Sequence, residues 1–206
     1  MTLAIIDSGG ANISSVIHAL RRQGVEPVFT SDSEIIRGAD RVILPGVGAA
    51  GTAMARLREL GLVECIRNLT QPVLGICLGM QLLFEASSES HRGEEGVDCL
   101  GIIPGKLQKL QPGEGLRVPH MGWNTTRFLR KHALLDGLPD DAWFYFVHSY
   151  RAPIGASTLA SCTHGEEFAA IVARDNFHGA QFHPERSAQH GAKLLDNFMQ
   201  LGRTQI

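Results

Sequence analysis

A cysteine between two glycines is the residue of this sequence best suited to act as a nucleophile. Residues 75–79 read Gly-Ile-Cys-Leu-Gly, and they join an apolar run to a helical one. A strand-to-helix turn this sharp leaves room only for glycine on each side, and it should hold Cys77 in a strained backbone conformation. The helix that follows favours negative charge on the sulfur, and its first amide, on Leu78, is placed to bind an oxyanion. A buried structural cysteine is the alternative, and this motif alone does not decide between them.

A cysteine nucleophile needs a base, and His183 is the best candidate among the nine histidines. It follows an apolar run in residues 181–185, Gln-Phe-His-Pro-Glu. Pro184 restricts His183 to an extended conformation, and positions i and i+2 of an extended chain point the same way. Glu185 is therefore expected to reach one ring nitrogen and leave the other for the thiol. A surface turn is the commoner interpretation of this motif by itself, and the sequence does not show that His183 meets Cys77.

The remaining histidines that belong to no motif are expected at the surface or in caps. His178 is expected in a loop or at a strand edge. The four cysteines include no C-x-x-C pair, which favours free thiols in a reducing compartment over disulfides or a zinc site.

Composition is that of a folded α/β chain. The 206 residues are 44% hydrophobic and 19% charged, with a formal net charge of -2, which indicates one domain over residues 1–206. This charge gives no general affinity for nucleic acid or an anionic membrane. Neither a signal peptide nor a run of about 20 apolar residues is evident, so a cytoplasmic location is expected.

Apolar runs alternate with amphipathic segments in the first half, which predicts a parallel sheet covered by helices. Predicted strands cover residues 3–6, 27–30, 41–44 and 73–76. Predicted helices cover the stretch containing Ile13, Val16, Ile17 and Leu20, then residues 49–60 with Met54 and Leu57 inward, and residues 78–85.

The second half is richer in glycine over residues 93–115, and it carries strand patterns at 143–147 and 168–173. These indicate antiparallel or mixed additions to the sheet. A final helix is predicted over residues 188–201, with one apolar face made by Leu194, Leu195, Phe198 and Met199.

The cysteine and histidine motifs together resemble the class I (triad) glutamine amidotransferases, in their order and near their spacing. Residues 75–81 and 181–185 carry the resemblance, and residues 44–48, Leu-Pro-Gly-Val-Gly, match the oxyanion loop of that family. Without the family, this Pro-Gly would be an ordinary turn. The resemblance covers essentially the whole chain. It implies a flavodoxin-like, doubly wound mixed sheet with helices on both faces.

The resemblance also implies roles for individual residues. Cys77 would attack the side-chain amide of glutamine, His183 would shuttle protons and Glu185 would orient His183. Glu85 is the alternative to Glu89, because it is nearby and residues 87–90 are a polar stretch that solvent could satisfy. The implied oxyanion and glutamine-binding positions are Gly46, Val47, Gly48, Leu78, Gln81, Glu89, His148, Ser149 and Tyr150.

Further segments are most similar to the branch of the family that serves histidine biosynthesis. They are residues 7–9 with Asn12, residues 119–124 and residues 145–150. This implies a heterodimer with a (βα)8-barrel cyclase subunit that receives the ammonia, with no cofactor, metal, nucleic acid or membrane involved. Residues 45–48 would switch when the partner binds, since their glycines permit a peptide flip. The implied interface residues are Pro119, His120, Met121 and Trp123.

Two other functions are also compatible with the sequence. The first keeps the triad and changes the pathway, to anthranilate, aminobenzoate or pyridoxal phosphate synthesis. The second is a non-catalytic binding subunit whose Cys77 is a redox-sensing thiol or a relic, although such a protein needs neither His183 nor Glu185.

Overall fold

The computed structural model describes residues 1–9, 13–89, 93, 96–111, 113 and 115–202. Its helices are α1 Ile13–Arg22, α2 Ser33–Gly38, α3 Ala50–Glu59, α4 Leu62–Arg67, α5 Leu78–Leu82 and α6 Ala188–Gln200, with 3-10 turns at Ala133–Leu135 and Pro184–Arg186. Its strands are β1 Leu3–Ile6, β2 Val28–Thr30, β3 Arg41–Gly46, β4 Val73–Cys77, β5 Phe84–Ser87, β6 Val97–Asp98, β7 Ile103–Lys109, β8 His120–Thr125, β9 Arg127–Phe128, β10 Trp143–His148, β11 Tyr150–Arg151, β12 Thr158–His164, β13 Glu166–Arg174 and β14 Phe177–Ala180. Within these described ranges no helix has both the length and the apolar character needed to cross a membrane.

The central sheet has eight strands in the order β2-β1-β3-β4-β14-β13-β12-β9. Neighbours from β2 to β14 are parallel, and the pairs from β14 to β9 are antiparallel. Alternate residues of β1 supply two separate cores, one shared with α2, α3 and α4 and the other with α1 and α6. The predicted mixed sheet with helices on both faces is therefore confirmed.

The strongly patterned elements lie where they were predicted. The first four predicted strands correspond to β1 to β4, and the predicted final helix corresponds to α6. Its predicted apolar face is buried, as are the predicted inward residues Met54 and Leu57 of α3. The strand patterns at 143–147 and 168–173 correspond to β10 and β13, and the expected antiparallel additions are present.

The predicted helix over residues 78–85 was too long. Helix α5 ends at Leu82, and residues from Phe84 onward form β5. This strand pairs with β7 and β6 in a four-stranded sheet ordered β11-β7-β5-β6. Its partners lie later in the chain, so a long-range pairing overrides the local helical pattern.

The prediction for His178 was wrong. It lies in β14, between β4 and β13, and it is 4% exposed. Its Nδ1 lies 3.3 Å from the carbonyl oxygen of Val73, which satisfies one ring nitrogen inside the core. Burial lowers the pKa of His178 to about 4, with a further contribution from nearby His132, so the ring is neutral at pH 7.

Candidate active site

Cys77 lies at the carboxyl end of β4 and directly precedes α5. Its φ of 53° and ψ of -110° fall in a region that residues with a side chain rarely adopt, as predicted for a nucleophile turn. A Cβ on Gly75 would lie 2.6 Å from the carbonyl oxygen of Gly79, and one on Gly79 would overlap the carbonyl oxygen of Leu44. Both glycines are thus required by close backbone approaches, and the strain at Cys77 is maintained by the packing around it.

Three parallel strands end beside the thiol. Cys77 pairs with Gly46 at the end of β3, and Ile76 pairs with Ala180 at the end of β14. Because carboxyl ends of parallel strands meet at one edge of a sheet, the loop after β3 and the segment after β14 are brought to Cys77. The fold therefore joins motifs that are more than one hundred residues apart in the sequence.

His183 and Glu185 are in contact. The Nδ1 of His183 donates a hydrogen bond of 2.9 Å to Oε1 of Glu185, whose side chain is 1% exposed. The histidine backbone is extended, with φ of -99° and ψ of 94°, as the following proline requires. Ser187 Oγ donates to the His183 carbonyl at 2.7 Å, and the His183 amide donates to the Tyr145 carbonyl at 2.9 Å. His183 is thus held through both its ring and its backbone.

Charge at this site favours a protonated His183. Burial lowers the pKa of His183, but its interactions with Cys77 and Glu185 outweigh burial and raise that pKa well above the usual 6.5. The Oε2 atom of Glu185 is buried and has no hydrogen-bond partner among the described residues. A buried carboxylate with an unmet oxygen is a strong source of negative potential beside the imidazole. The arrangement suits an imidazolium at His183 beside the Cys77 sulfur.

A pocket of about 350 Å³ opens over the thiol. It brings together Cys77, His183 and every predicted glutamine-binding position except Gly46, which packs against the start of α5 instead. Its lining residues are Val47, Gly48, Cys77, Leu78, Gln81, Glu89, Pro119, Val147, His148, Ser149, Tyr150 and His183.

Gln181 is a site residue that the sequence prediction omitted. It is fully buried, its Nε2 lies 3.9 Å from Cys77 Sγ, and its Oε1 accepts from Gln81 Nε2 at 2.9 Å. It precedes His183 by two positions, so the alternation used to link His183 to Glu185 also points to Gln181.

Of the two glutamates considered for glutamine binding, only Glu89 lines the pocket. Its Oε2 accepts from the backbone N–H of Ala50 at 2.6 Å, at the first residue of α3. The Oε2 of Glu85 accepts from the N–H of Gly105 at 2.8 Å, which commits that carboxylate to the four-stranded sheet. The geometry favours Glu89.

Strands β8 and β10 form an antiparallel ribbon beside the pocket, with Tyr145 opposite Trp123 and Val147 opposite Met121. Met121 is 64% exposed and Trp123 is 49% exposed, while Pro119 is exposed at the pocket edge. His120 differs from these, since it is 3% exposed and its ring points into the molecule.

The N-terminal motif is described only in part. Ser8 Oγ donates to the Pro45 carbonyl at 3.3 Å, so this segment contacts the predicted oxyanion loop. Asn12, the other member of the motif, lies outside the described residues.

Comparison with known proteins agrees with this geometry. Residues 4–201 match the family model for glutamine amidotransferase class-I. The chain is 55% identical over 199 residues to imidazole glycerol phosphate synthase subunit HisH of Xanthomonas campestris pv. campestris strain 8004, and 52% identical to the subunit of the same name from Xylella fastidiosa strain Temecula1. Each alignment covers 97% of both proteins.

Solved structures share the fold at lower identity. PurLQS from Thermotoga maritima superposes with a TM-score of 0.73 at 19% identity, covering 97% of both chains. A putative GMP synthase protein from Thermoplasma acidophilum gives a TM-score of 0.72 at 21% identity, covering 97% of this chain and 92% of the other. On the family match and on the identity to the HisH subunits, the chain belongs to the class I glutamine amidotransferase family.

Proposed function

We propose that this chain is the glutaminase subunit of imidazole glycerol phosphate synthase and that Cys77, His183 and Glu185 are its catalytic triad. The observation that carries the assignment is the contact of 2.9 Å between Glu185 and His183, which lines the same pocket as Cys77. The identity to HisH subunits over nearly the whole chain supports the pathway.

The geometry supports a two-step hydrolysis. The Cys77 sulfur attacks the side-chain carbonyl carbon of glutamine, and backbone N–H groups near Gly48 and Leu78 stabilise the oxyanion. His183 then protonates the departing nitrogen, so ammonia leaves and a thioester remains. Water, deprotonated by His183, cleaves the thioester to glutamate, which releases the Cys77 sulfur and leaves His183 protonated as at the start. Glu185 stabilises the imidazolium in both steps.

Groups around the pocket match the two charges of the substrate backbone. The Glu89 carboxylate would bind the α-ammonium group, and Gln81 helps to hold the substrate. Residues 148–150 would bind the α-carboxylate, partly through their backbone. The pocket volume of about 350 Å³ lies near the lower end of the range for small-molecule sites, which suits one amino acid.

Ammonia from the pocket would pass to a cyclase subunit with a (βα)8-barrel fold, in a heterodimer. The ribbon of β8 and β10 supports this. It exposes Met121 and Trp123, and Pro119 and Val147 beside them line the edge of the pocket. A partner docked there would cover the pocket and keep ammonia from water, where it would become the non-nucleophilic ammonium ion. Docking would also flip the peptide beside Gly48, whose φ is 91°.

Reconstitution with the cyclase subunit tests the proposal. We expect the complex to form glutamate from glutamine far faster than the isolated chain does, and to make imidazole glycerol phosphate from either glutamine or ammonium salts. Glutamate release and product formation are measured in parallel. Stable assembly with a chorismate-using enzyme, and none with the cyclase, would contradict the pathway.

Exchange of Glu89 for glutamine tests the binding of the α-ammonium group. We expect Glu89→Gln to raise the glutamine KM of the complex by roughly 10- to 100-fold, the equivalent of one hydrogen bond to a charged group. The variant retains an oxygen that can accept from Ala50 N–H, so the melting temperature should change little. Glu85→Gln is the matched control, and a KM effect there equal to that of Glu89→Gln would reverse the assignment.

A further inference from the structure

A series of hydrogen bonds begins at half-buried Asn124, on the inner side of strand β8, and continues through buried His120 and His148. The Oδ1 of Asn124 accepts from the backbone N–H of Thr125 at 2.8 Å, and its Nδ2 donates to the carbonyl of Thr163 at 2.9 Å. These two backbone contacts fix which end of the amide is the donor. The same Nδ2 lies 3.3 Å from Nε2 of His120, so that ring nitrogen must act as an acceptor.

The order of donor and acceptor set by Asn124 continues through the imidazole rings of His120 and His148. A neutral His120 that accepts at Nε2 carries its proton on Nδ1, which lies 3.0 Å from Nε2 of His148. His148 then accepts at Nε2 and carries its proton on Nδ1, which lies 2.9 Å from the carbonyl oxygen of Tyr150. Every bond in the series has one donor and one acceptor, so the chain runs in a single direction.

Both rings are neutral, as this direction requires. Burial lowers the pKa of His148 to about 3; the Tyr150 carbonyl opposes this, and the charges of nearby histidines add to it. Burial lowers the pKa of His120 to about 4, with a further contribution from His164. The His120 ring is stacked between Phe146 and His164, at centroid distances of 4.9 Å and 4.1 Å, which leaves it little freedom to turn.

The series of hydrogen bonds ends on the carbonyl oxygen of Tyr150, which a residue of the pocket also contacts. The carbonyl of Tyr150 also accepts from Gln81 Nε2 at 2.9 Å, and Gln81 in turn donates to Gln181 beside the thiol. Two donors therefore converge on one carbonyl, His148 at the end of β10 and Gln81 in the glutamine pocket. Loss of the first would free the Tyr150 backbone to move and Gln81 with it.

We propose that Asn124, His120 and His148 are positioning residues that hold the Tyr150 carbonyl, and through it Gln81, in the glutamine-binding arrangement. The chain starts on the strand that exposes Met121 and Trp123, so movement of that strand on docking changes the support of the pocket. This step rests on the proposed glutaminase function. It assigns these residues no part in the bond-breaking steps.

Two substitutions of His120 separate positioning from packing. An asparagine amide occupies the place of Nδ1 and retains a donor toward His148, whereas a glutamine amide reaches the place of Nε2 and leaves His148 without that donor. In the complex with the cyclase, we expect His120→Gln to raise the glutamine KM about five- to tenfold, the loss of one buried neutral hydrogen bond, with kcat changed less than twofold. His120→Asn should stay within about twofold of the unmodified KM.

His178→Gln is the control, because His178 is as buried as His120 but takes no part in the hydrogen bonds from Asn124 to Tyr150. It should lower the melting temperature without changing the glutamine KM. An unchanged KM in His120→Gln, or equal increases in the asparagine and glutamine variants, would overturn the proposal. The ammonia-dependent reaction should be the same in all three variants.

The tautomers give a test that does not depend on activity. With ¹⁵N-labelled histidine in this subunit of the complex, we expect His120 and His148 to carry their protons on Nδ1 at pH 7. A proton on Nε2 of either ring would overturn the proposal even in a fully active enzyme. If the unmodified complex hydrolysed no glutamine, the proposed function would fail instead, and the tautomers would still decide the direction of the chain.

Discussion

Replacement of Cys77 by serine is expected to abolish glutamine hydrolysis and to leave the ammonia-dependent reaction of the complex intact. We expect a loss of roughly 10⁴-fold or more in the glutaminase kcat, the scale seen when a nucleophile is removed from a triad. The physical reason lies at residue 77, because a serine hydroxyl gives up its proton far less readily than a thiol, and the serine also removes the contribution of Cys77 to the raised pKa of His183. Glutamate release and product formation with ammonium salts are the two measurements.

A second cysteine provides the control for this substitution. Cys65 is buried, and its Sγ lies 3.8 Å from the Ser33 carbonyl, a contact that a serine hydroxyl can keep. Cys65→Ser should therefore fold and turn over glutamine normally. Normal glutamine turnover by Cys77→Ser would show that Cys77 is not the nucleophile.

The cysteine turn was predictable because its signal is local. Gly75, Cys77 and Gly79 lie within five residues, and a Cβ on Gly75 would meet the backbone of Gly79 inside the turn itself. The same holds for the extended His183 and its contact with Glu185, which follow from Pro184 and the alternation of an extended chain.

The meeting of Cys77 with His183 was beyond local reasoning. It requires β14 to pair with β4 on one side and with β13 on the other, and these pairings depend on contacts between distant parts of the chain. The same limit explains why β5 was predicted as helix. Its residues have a helical pattern, but their pairing with β7 makes them a strand. Helix α2 is a different omission, since its cap, Asp32 accepting from Glu34 N–H, is a local signal that was present in the sequence.

Burial was the other quantity that the sequence did not provide. His178 and His120 have polar side chains, yet both lie in the core with a partner for a ring nitrogen. A polar group can be buried when a carbonyl or another ring meets it, and such partners are known only once strands are paired. For that reason the hydrogen bonds that link Asn124 to Tyr150 are not predictable from the sequence.

Replacement of Glu185 by glutamine should reduce the glutaminase kcat by roughly 10²- to 10⁴-fold without removing the nucleophile. The amide has nearly the shape of the carboxylate but no charge, so the pKa of His183 falls. We expect the alkaline limb of the pH profile of glutamine kcat/KM to move to lower pH, since that limb reports loss of the His183 proton. Glu185→Asp keeps the negative charge, at a greater distance from His183. Its alkaline limb should lie between those of the unmodified complex and of Glu185→Gln.

The same substitution changes how stability depends on pH. Because the folded pKa of His183 is raised, the pair stabilises the unmodified protein fully below pH 6.5, and this contribution is lost as pH rises toward the folded pKa. Glu185→Gln should therefore show a smaller fall in melting temperature between pH 6.5 and the alkaline range.

A glutaminase pH profile of Glu185→Gln identical to that of the unmodified complex would exclude Glu185 from the triad. It would also leave the raised pKa of His183 to be explained by Cys77 alone, because burial acts in the opposite direction.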